Sequence, residues 1–230
     1  MDLARRSPEY MRELTRHHVG GLLKVAPEHT DPTVLNMMRK PSGDDFEQFA
    51  EAFNRESKEA GKKQHLVPYF IASHPGSDLN AMIHLAVMLK RTGYRPDQVQ
   101  DFIPAPLDVA TTMYYTGLDP FTKKPVHIAT HLRDRKLQRA LMQFFKPENY
   151  FEVRKALVQA KRTDLIGAGC DCLIPASPPP EALERRRNDA NRRFRGEYVH
   201  TIAKGGKKKG KKQSRHEPGP GYRPDTKKAR

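Results

Sequence analysis

The sequence predicts an α/β fold in which helices cover a parallel sheet, and two observations carry that expectation. Three short apolar runs, residues 22–26, 65–72 and 99–103, alternate with segments in which apolar side chains recur every three or four residues. Each run also closes on a polar or proline-rich turn: Pro27-Glu28-His29, Ser73-His74-Pro75-Gly76 and Pro104-Ala105-Pro106. Strand, helix, strand, helix, strand at this spacing is the rhythm of βαβ units with parallel strands, and it organises residues 1–117. In such sheets ligands bind outside the carboxyl ends of the strands, so the three turns are expected to meet on one rim.

Each element has a local reason. Residues 3–18 carry a helical period that the Gly20-Gly21 pair interrupts before the first strand, which is expected to end at Pro27. Asp31 is placed to cap a short helix with Pro32 at its first position. Ser42 can cap a longer one that sets Phe46, Phe49, Ala50 and Phe53 on one face and stops at Gly61. Within 65–72, Pro68 removes one ladder donor and implies an edge strand or a bulge. Ser77 or Asp78 then caps an amphipathic helix carrying Leu79, Met82, Ile83, Ala86 and Leu89, which ends at Gly93. The third strand runs into Pro104, and a helix over 108–115 follows. Residues 118–180 read as a helical extension, with two helices over 132–160 split at Lys146-Pro147 and a glycine-punctuated connector over 165–175.

Composition excludes several classes. The chain has 230 residues, 42 Lys and Arg against 27 Asp and Glu, and a net charge of +15. Its mean hydropathy is −0.80, and no apolar run approaches the roughly 20 residues of a membrane span. The opening MDLARRSPEY lacks the charged-then-apolar pattern of a secretory leader, so a reducing, cytoplasmic setting is expected. Residues 181–230 hold 17 Lys and Arg against 6 Asp and Glu, eleven of the fifteen net charges. They read as a basic, largely disordered tail, Gly, Pro and Lys dominating from Gly205 onward. The cluster Lys207, Lys208, Lys209, Lys211 and Lys212 suits RNA, DNA or anionic lipid through counterion release, or serves only as a solubilising extension. The two cysteines, Cys170 and Cys172, lie in one GAGCDC segment and cannot staple distant parts of the chain. As a C-x-C clip, with His200 or His216 as further ligands, they make a weak zinc signal beside the plainer reading of two idle thiols. No Walker loop, G-x-S-x-G elbow, G-x-G-x-x-G turn or H-E-x-x-H helix occurs.

The strand ends carry more than a period. GLLKVAPEHTDPTVLNMMRKP resembles the fourth-strand segment of radical S-adenosylmethionine enzymes, in which a strand ends in a glutamate before a D-x-V-L-x-x-M-x-(R/K) helix. LVPYFIASHPGSDLNAM resembles their fifth strand and VQDFIPAPLDVATTMYYTG their sixth. With TGLDPFTKKPV, LQRALMQFFKPENY and CLIP in the same order, residues 8–180 resemble the C-terminal half of the YgiQ-type radical S-adenosylmethionine family.

That resemblance implies strands four to six of a partial (βα)6 barrel, followed by a small helical extension. It implies S-adenosylmethionine and a 4Fe-4S cluster as cofactors of the full-length family protein. The C-x-x-x-C-x-x-C loop whose thiolates hold the cluster is not in this chain. The chain alone is therefore not expected to bind the cluster or to generate the 5′-deoxyadenosyl radical. It reads as a fragment, a truncated gene product or one half of a split enzyme, whose partner is a separate N-terminal half carrying that loop. The 22–26 strand would then expose an edge where the missing strand three pairs.

Six residues are expected at the cofactor: Glu28, His29, Ser73, His74, Gly76 and Pro104. A carboxylate at Glu28 suits ribose hydroxyls or an ammonium group, its plainer role being a helix cap or rim salt bridge. His29 is otherwise a hydrogen-bonding turn residue. Gly76 would admit a close ligand, although Ser73 to Gly76 also serve simply as a turn. Pro104 and Pro106 shape the rim, where Asp101 and Asp108 either line the site or only flank a strand stopped by proline. Met37 and Met38 are expected in core packing. The alternative from another class is a non-catalytic basic adaptor that binds RNA or ribosomes through residues 185–215.

Overall fold

The computed structural model describes residues 7–40 and 43–194. Ser42, the opening residues of the first expected helix and the tail beyond residue 194 lie outside the described residues. In chain order the elements are helix α1 (Pro8–Glu13), strand β1 (Leu22–Glu28), helices α2 (Pro32–Met37) and α3 (Gly43–Glu59), strand β2 (His65–Ala72) and helix α4 (Leu79–Thr92). Strand β3 (Gln100–Asp101) and helices α5 (Val109–Thr116), α6 (Leu132–Met142), α7 (Tyr150–Gln159) and α8 (Pro180–Phe194) complete them.

The three strands form one parallel sheet in the order β1-β2-β3. Leu22 pairs with His65 and Val25 with Pro68; after a shift in register Glu28 pairs with Phe70. Pro68 therefore lies in the central strand, and the missing donor produces the bulge rather than an edge. β1 continues through Pro27 to Glu28, two residues past the apolar run 22–26. The N–H of His29 then donates to Pro27 O at 2.8 Å, closing a three-residue turn with Glu28 at φ 68°. β3 is shorter than residues 99–103. Phe102 N donates to Ala72 O at 2.8 Å, and beyond it Pro104 has no N–H to extend the ladder.

The caps follow from the sequence. Asp31 Oδ1 accepts from Thr33 N at 2.9 Å and Val34 N at 3.1 Å, starting α2. Asp78, not Ser77, caps α4 by accepting from Ala81 N at 2.8 Å, and Asp108 caps α5 by accepting from Ala110 N at 3.0 Å. Gly93 and Gly117 close α4 and α5 at φ 76° and 68°. Residues 8–18 do not make one α-helix: α1 gives way to a π turn over Leu14–His18. Gln64 Nε2 holds that turn by donating to Thr15 O at 2.8 Å and Val19 O at 2.6 Å.

One apolar layer packs α1 and α3 on the sheet through Met11, Phe49, Phe53 and Leu66. α4 buries Met82, Ile83, Leu85, Ala86 and Leu89, and Phe102, Ala110, Met113 and Val126 form a further cluster beside β3. Residues up to Pro178 make one compact unit. Residues 118–178 do not stand apart as an appendage, because α6 packs against both α4 and β2. The second unit begins at Pro179. Its described part includes α8, so residues 181–194 of the expected basic tail are helical.

Candidate functional site

The carboxyl ends of the strands build the site, as the βαβ rhythm requires. A cleft of about 920 Å³ opens there, within the roughly 300–1,000 Å³ usual for small-molecule sites. Its charged lining is Glu28, Arg39, Lys40, Asp101, Asp108 and Arg139, and its apolar wall includes Met37, Met38, Ile71, Phe102 and Ile103. Arg39 joins it to a smaller groove of about 320 Å³, where its guanidinium lies over the Phe121 ring at 4.6 Å.

Four non-glycine residues around this rim have left-handed backbone: Glu28 (φ 68°), Arg39 (φ 56°), Ser73 (φ 63°) and Leu107 (φ 66°). Each costs about 1–3 kcal/mol for a side-chain-bearing residue, and such strain concentrates at ligand sites.

Of the six expected residues, the cleft takes two, Glu28 and His74. Glu28 Oε1 is 3.3 Å from Lys40 Nζ, which also donates to Ala26 O at 2.9 Å. The carboxylate thus makes the rim salt bridge while lining the cleft. His74 donates from Nδ1 to Pro75 O at 2.8 Å, the tautomer in which Nε2 is an acceptor. Its ring meets Phe102 edge-on, centroids 5.2 Å apart. Burial pushes its pKa below the ordinary histidine value, so the ring is neutral.

The other four stand behind or beside the cleft. His29 is 1 % exposed, and its Nδ1 accepts from Thr30 N and Asp31 N, both at 3.0 Å. That fixes the proton on Nε2, which donates to Ser77 Oγ at 3.3 Å. Burial pushes its pKa down to about 4, against a partial offset from Asp31. Ser73 is buried; its N–H donates to Gln138 Oε1 at 2.8 Å, and its Oγ has no partner. Ser77 Oγ donates to the same Gln138 oxygen at 3.3 Å, while Gln138 Nε2 donates to Ser77 O at 2.8 Å. Gly76, at φ 90°, allows a close approach of Met37 rather than of a ligand, since a Cβ at 76 would run into Met37 Sδ. Pro104 lies on the rim loop outside the lining.

Asp101 and Asp108 both line the cleft, and Met37 and Met38 are half-buried in its wall, Met37 also packing against the Phe102 cluster as expected. Asp101 Oδ2 is 3.4 Å from Arg139 Nε, whereas Oδ1 is buried without a partner. Burial raises the Asp101 pKa, and Arg139 and Arg135 only partly offset it. The sequence reading missed Lys40, Gln138 and Arg139. Lys40 follows α2 by three residues and could have been found as the cation opposite Glu28. Gln138 and Arg139 come from α6, and no local signal places that helix against the rim.

Cys170 is exposed, Cys172 is half-buried, and both are free. Among the described residues no group of three or more His, Cys, Asp or Glu could hold a metal ion. A 4Fe-4S cluster wants three or four thiolates and does not fit this chain's own residues, which include two cysteines. Among the described residues no helix is long and apolar enough to cross a membrane.

A protein-family model described as a domain of unknown function, DUF3362, matches residues 97–224. The chain is 48 % identical over 170 residues to a UPF0313 protein of Clostridium botulinum, covering 74 % of this chain and 27 % of that protein. It is 44 % identical over 211 residues to a UPF0313 protein of Vibrio cholerae, covering 87 % of this chain and 27 % of the relative. It is 44 % identical over 197 residues to the UPF0313 protein YgiQ of Escherichia coli, 84 % and 27 % of the two chains. The chain thus spans about a quarter of the length of these curated relatives, 27 % in each. No solved structure matches it.

Proposed function

The chain belongs to the YgiQ-type UPF0313 family and, over residues 97–224, to the DUF3362 family; from that premise we propose that it supplies the S-adenosylmethionine-contacting strand ends of a radical S-adenosylmethionine enzyme. The observation that carries the reading is the convergence of all three strand ends, with their left-handed residues, on one charged cleft. When bound, S-adenosylmethionine supplies radical chemistry that depends on a cluster held elsewhere, on a separate segment or chain carrying C-x-x-x-C-x-x-C. This chain's residues bind and orient. Glu28 is the acceptor for ribose hydroxyls, and Lys40 holds that carboxylate in place. His74 Nε2 is an acceptor for an N–H of the ligand. The outer edge of β1, which among the described residues has a neighbour only on its β2 side, receives the adjoining strand of the barrel.

Equilibrium dialysis of radiolabelled S-adenosylmethionine against the purified chain tests binding, with His74→Ala and Glu28→Ala each expected to weaken it about tenfold. Mixing the chain with a separately expressed N-terminal half under anaerobic, reducing conditions should then yield 5′-deoxyadenosine. No retention of the label, together with no product where an intact relative is active, overturns the reading.

A second contribution is proposed for α8, which exposes Arg185, Arg186, Arg187 and Arg192 on one short helix. With the lysines up to residue 212 it suits RNA through phosphate contacts. Truncation after Ser177 should abolish RNA binding and leave the S-adenosylmethionine response unchanged; RNA binding that survives truncation counts against it.

A further inference from the structure

The groove beside the cleft has a cation at its mouth in a place where the fold would be better served by glycine. Helix α2 ends in a turn where Arg39 N donates to Asn36 O at 3.1 Å and Lys40 N to Leu35 O at 2.9 Å. In this way of closing a helix, the residue in the position of Arg39 has left-handed backbone and is most often glycine. Arg39 takes that conformation at φ 56°, although glycine would close the same turn without strain. The two cations of the turn then part. Lys40 reaches back to Glu28, whereas the Arg39 guanidinium lies over the Phe121 ring, and among the described residues no oxygen accepts from its N–H groups. With Met37 and Val109, Arg39 lines both the cleft and the groove, so the two spaces join there. Lys124 adds a second cation to the groove. Its one carboxylate, Asp119, is tied to its own turn: Oδ1 accepts from Phe121 N at 2.9 Å and Oδ2 from Thr122 Oγ1 at 2.8 Å. The groove therefore sets an excess of positive charge against apolar walls of Met37, Met113 and Val126.

We propose that Arg39 anchors an oxyanion, a phosphate or a carboxylate, on the substrate that enters the cleft, and that the apolar part of the same molecule lies in the groove against Met37 and Met113. The inference rests on the cleft being a small-molecule site, the premise of the function proposed above. It assigns the groove to the substrate, apart from the Glu28 and His74 groups proposed for S-adenosylmethionine. A guanidinium suits the task because its planar fork offers paired donors to two oxygens of one anion. The Phe121 ring holds that charge at the groove without supplying an oxygen, so an incoming anion still finds donors there. The ring is carried on a closed hairpin, with Leu118 bridged to Pro125 and Asp119 N donating to Lys124 O at 2.9 Å. The anion thus meets a positioned cation rather than a free surface side chain.

Phenyl phosphate and benzoate at up to about 10 mM, with benzyl alcohol as the uncharged control, are titrated into the full chain and followed by the methyl resonances of Met37 and Met113. At least one anion is expected to shift both signals saturably, and benzyl alcohol to bind about tenfold more weakly or not at all. Tighter binding of phenyl phosphate marks the group as a phosphate, tighter binding of benzoate as a carboxylate. Arg39→Gly should weaken the anion about tenfold while the melting temperature stays level or rises, because glycine is at ease at φ 56°. No shift by either anion, equal affinity for benzyl alcohol, or an Arg39→Gly variant that binds as the parent does overturns the anchor. So does a fall of affinity and melting temperature together, which would make Arg39 a support of the fold. S-adenosylmethionine retention by the parent chain is read separately: its loss beside intact anion binding sinks the broader reading and leaves the groove standing.

Discussion

Two layers of the same rim differ in how their polar groups are used. Behind the strand ends, His29, Ser77, Gln138 and the Ser73 amide exchange hydrogen bonds across three separate elements. In front, the cleft is lined by Glu28, Asp101, Asp108 and His74, whose Nε2 is an acceptor. The inner layer is bonded mostly to itself and fixes the turns, with the Ser73 Oγ left over. The outer layer differs in its charge, since Glu28, Lys40, Asp101, Asp108 and Arg139 all line the cleft. Adjacent residues fall in different layers: Glu28 faces the cleft and His29 faces away, Ser73 is tied down and His74 looks out.

Substitution at Gln138 probes the inner layer most severely. Gln138→Leu strands the Ser73 N–H and the Ser77 carbonyl in a site where Gln138 is 1 % exposed. A loss of roughly 4 kcal/mol is expected in urea unfolding, and a loss under 1 kcal/mol would show that water satisfies these groups. Gln138→Glu keeps the acceptor for Ser73 and should recover part of the loss.

Acid should open the same layer. His29 binds its proton at about pH 4 in the folded chain and near 6.5 when unfolded. The unfolded chain therefore takes up more protons between those values, and stability present above pH 6.5 falls as the pH drops toward 4. The full effect is about 3 kcal/mol. His74 shifts in the same direction. Denaturant midpoints across this range should slope for the parent and flatten for His29→Gln; equal slopes would place the sensitivity elsewhere.

Gly76 lies between the layers. Gly76→Ala imposes a side chain at φ 90° and drives it into Met37 Sδ, for a loss of about 2 kcal/mol. Met37→Ala removes the collision but not the backbone strain, so the double variant should recover roughly half. Full recovery would show that only the contact matters.

What could be read in advance divides along physical lines. The cap at Asp31 and the αL glycine at 93 depend on a few neighbouring residues, and the sequence carries them whole. The bulge opposite Pro68 was legible for the same reason, because a missing N–H is a local fact. The rim itself followed from the parallel-strand rule. The roles within it did not, because whether His29 or His74 reaches the cleft depends on the turn at Glu28 and on α6 lying across the strand ends. Gln138 and Arg139 are neighbours on one helix, yet one serves the inner layer and the other the outer. That assignment is set by packing against α4 and β2.

The smallest effect draws the line between the layers most finely. Asp108 belongs to both, since it caps α5 through Ala110 N and also lines the cleft. Asp108→Ala removes both functions and should cost about 1 kcal/mol of stability. Asp108→Ser keeps an oxygen for the cap and should restore nearly all of it. Ligand retention separates the roles, because serine restores the cap but not the charge. If Asp108 acts on the ligand, affinity stays weakened in the serine variant while stability returns. If affinity and stability return together, Asp108 positions α5 and the outer layer begins at Asp101.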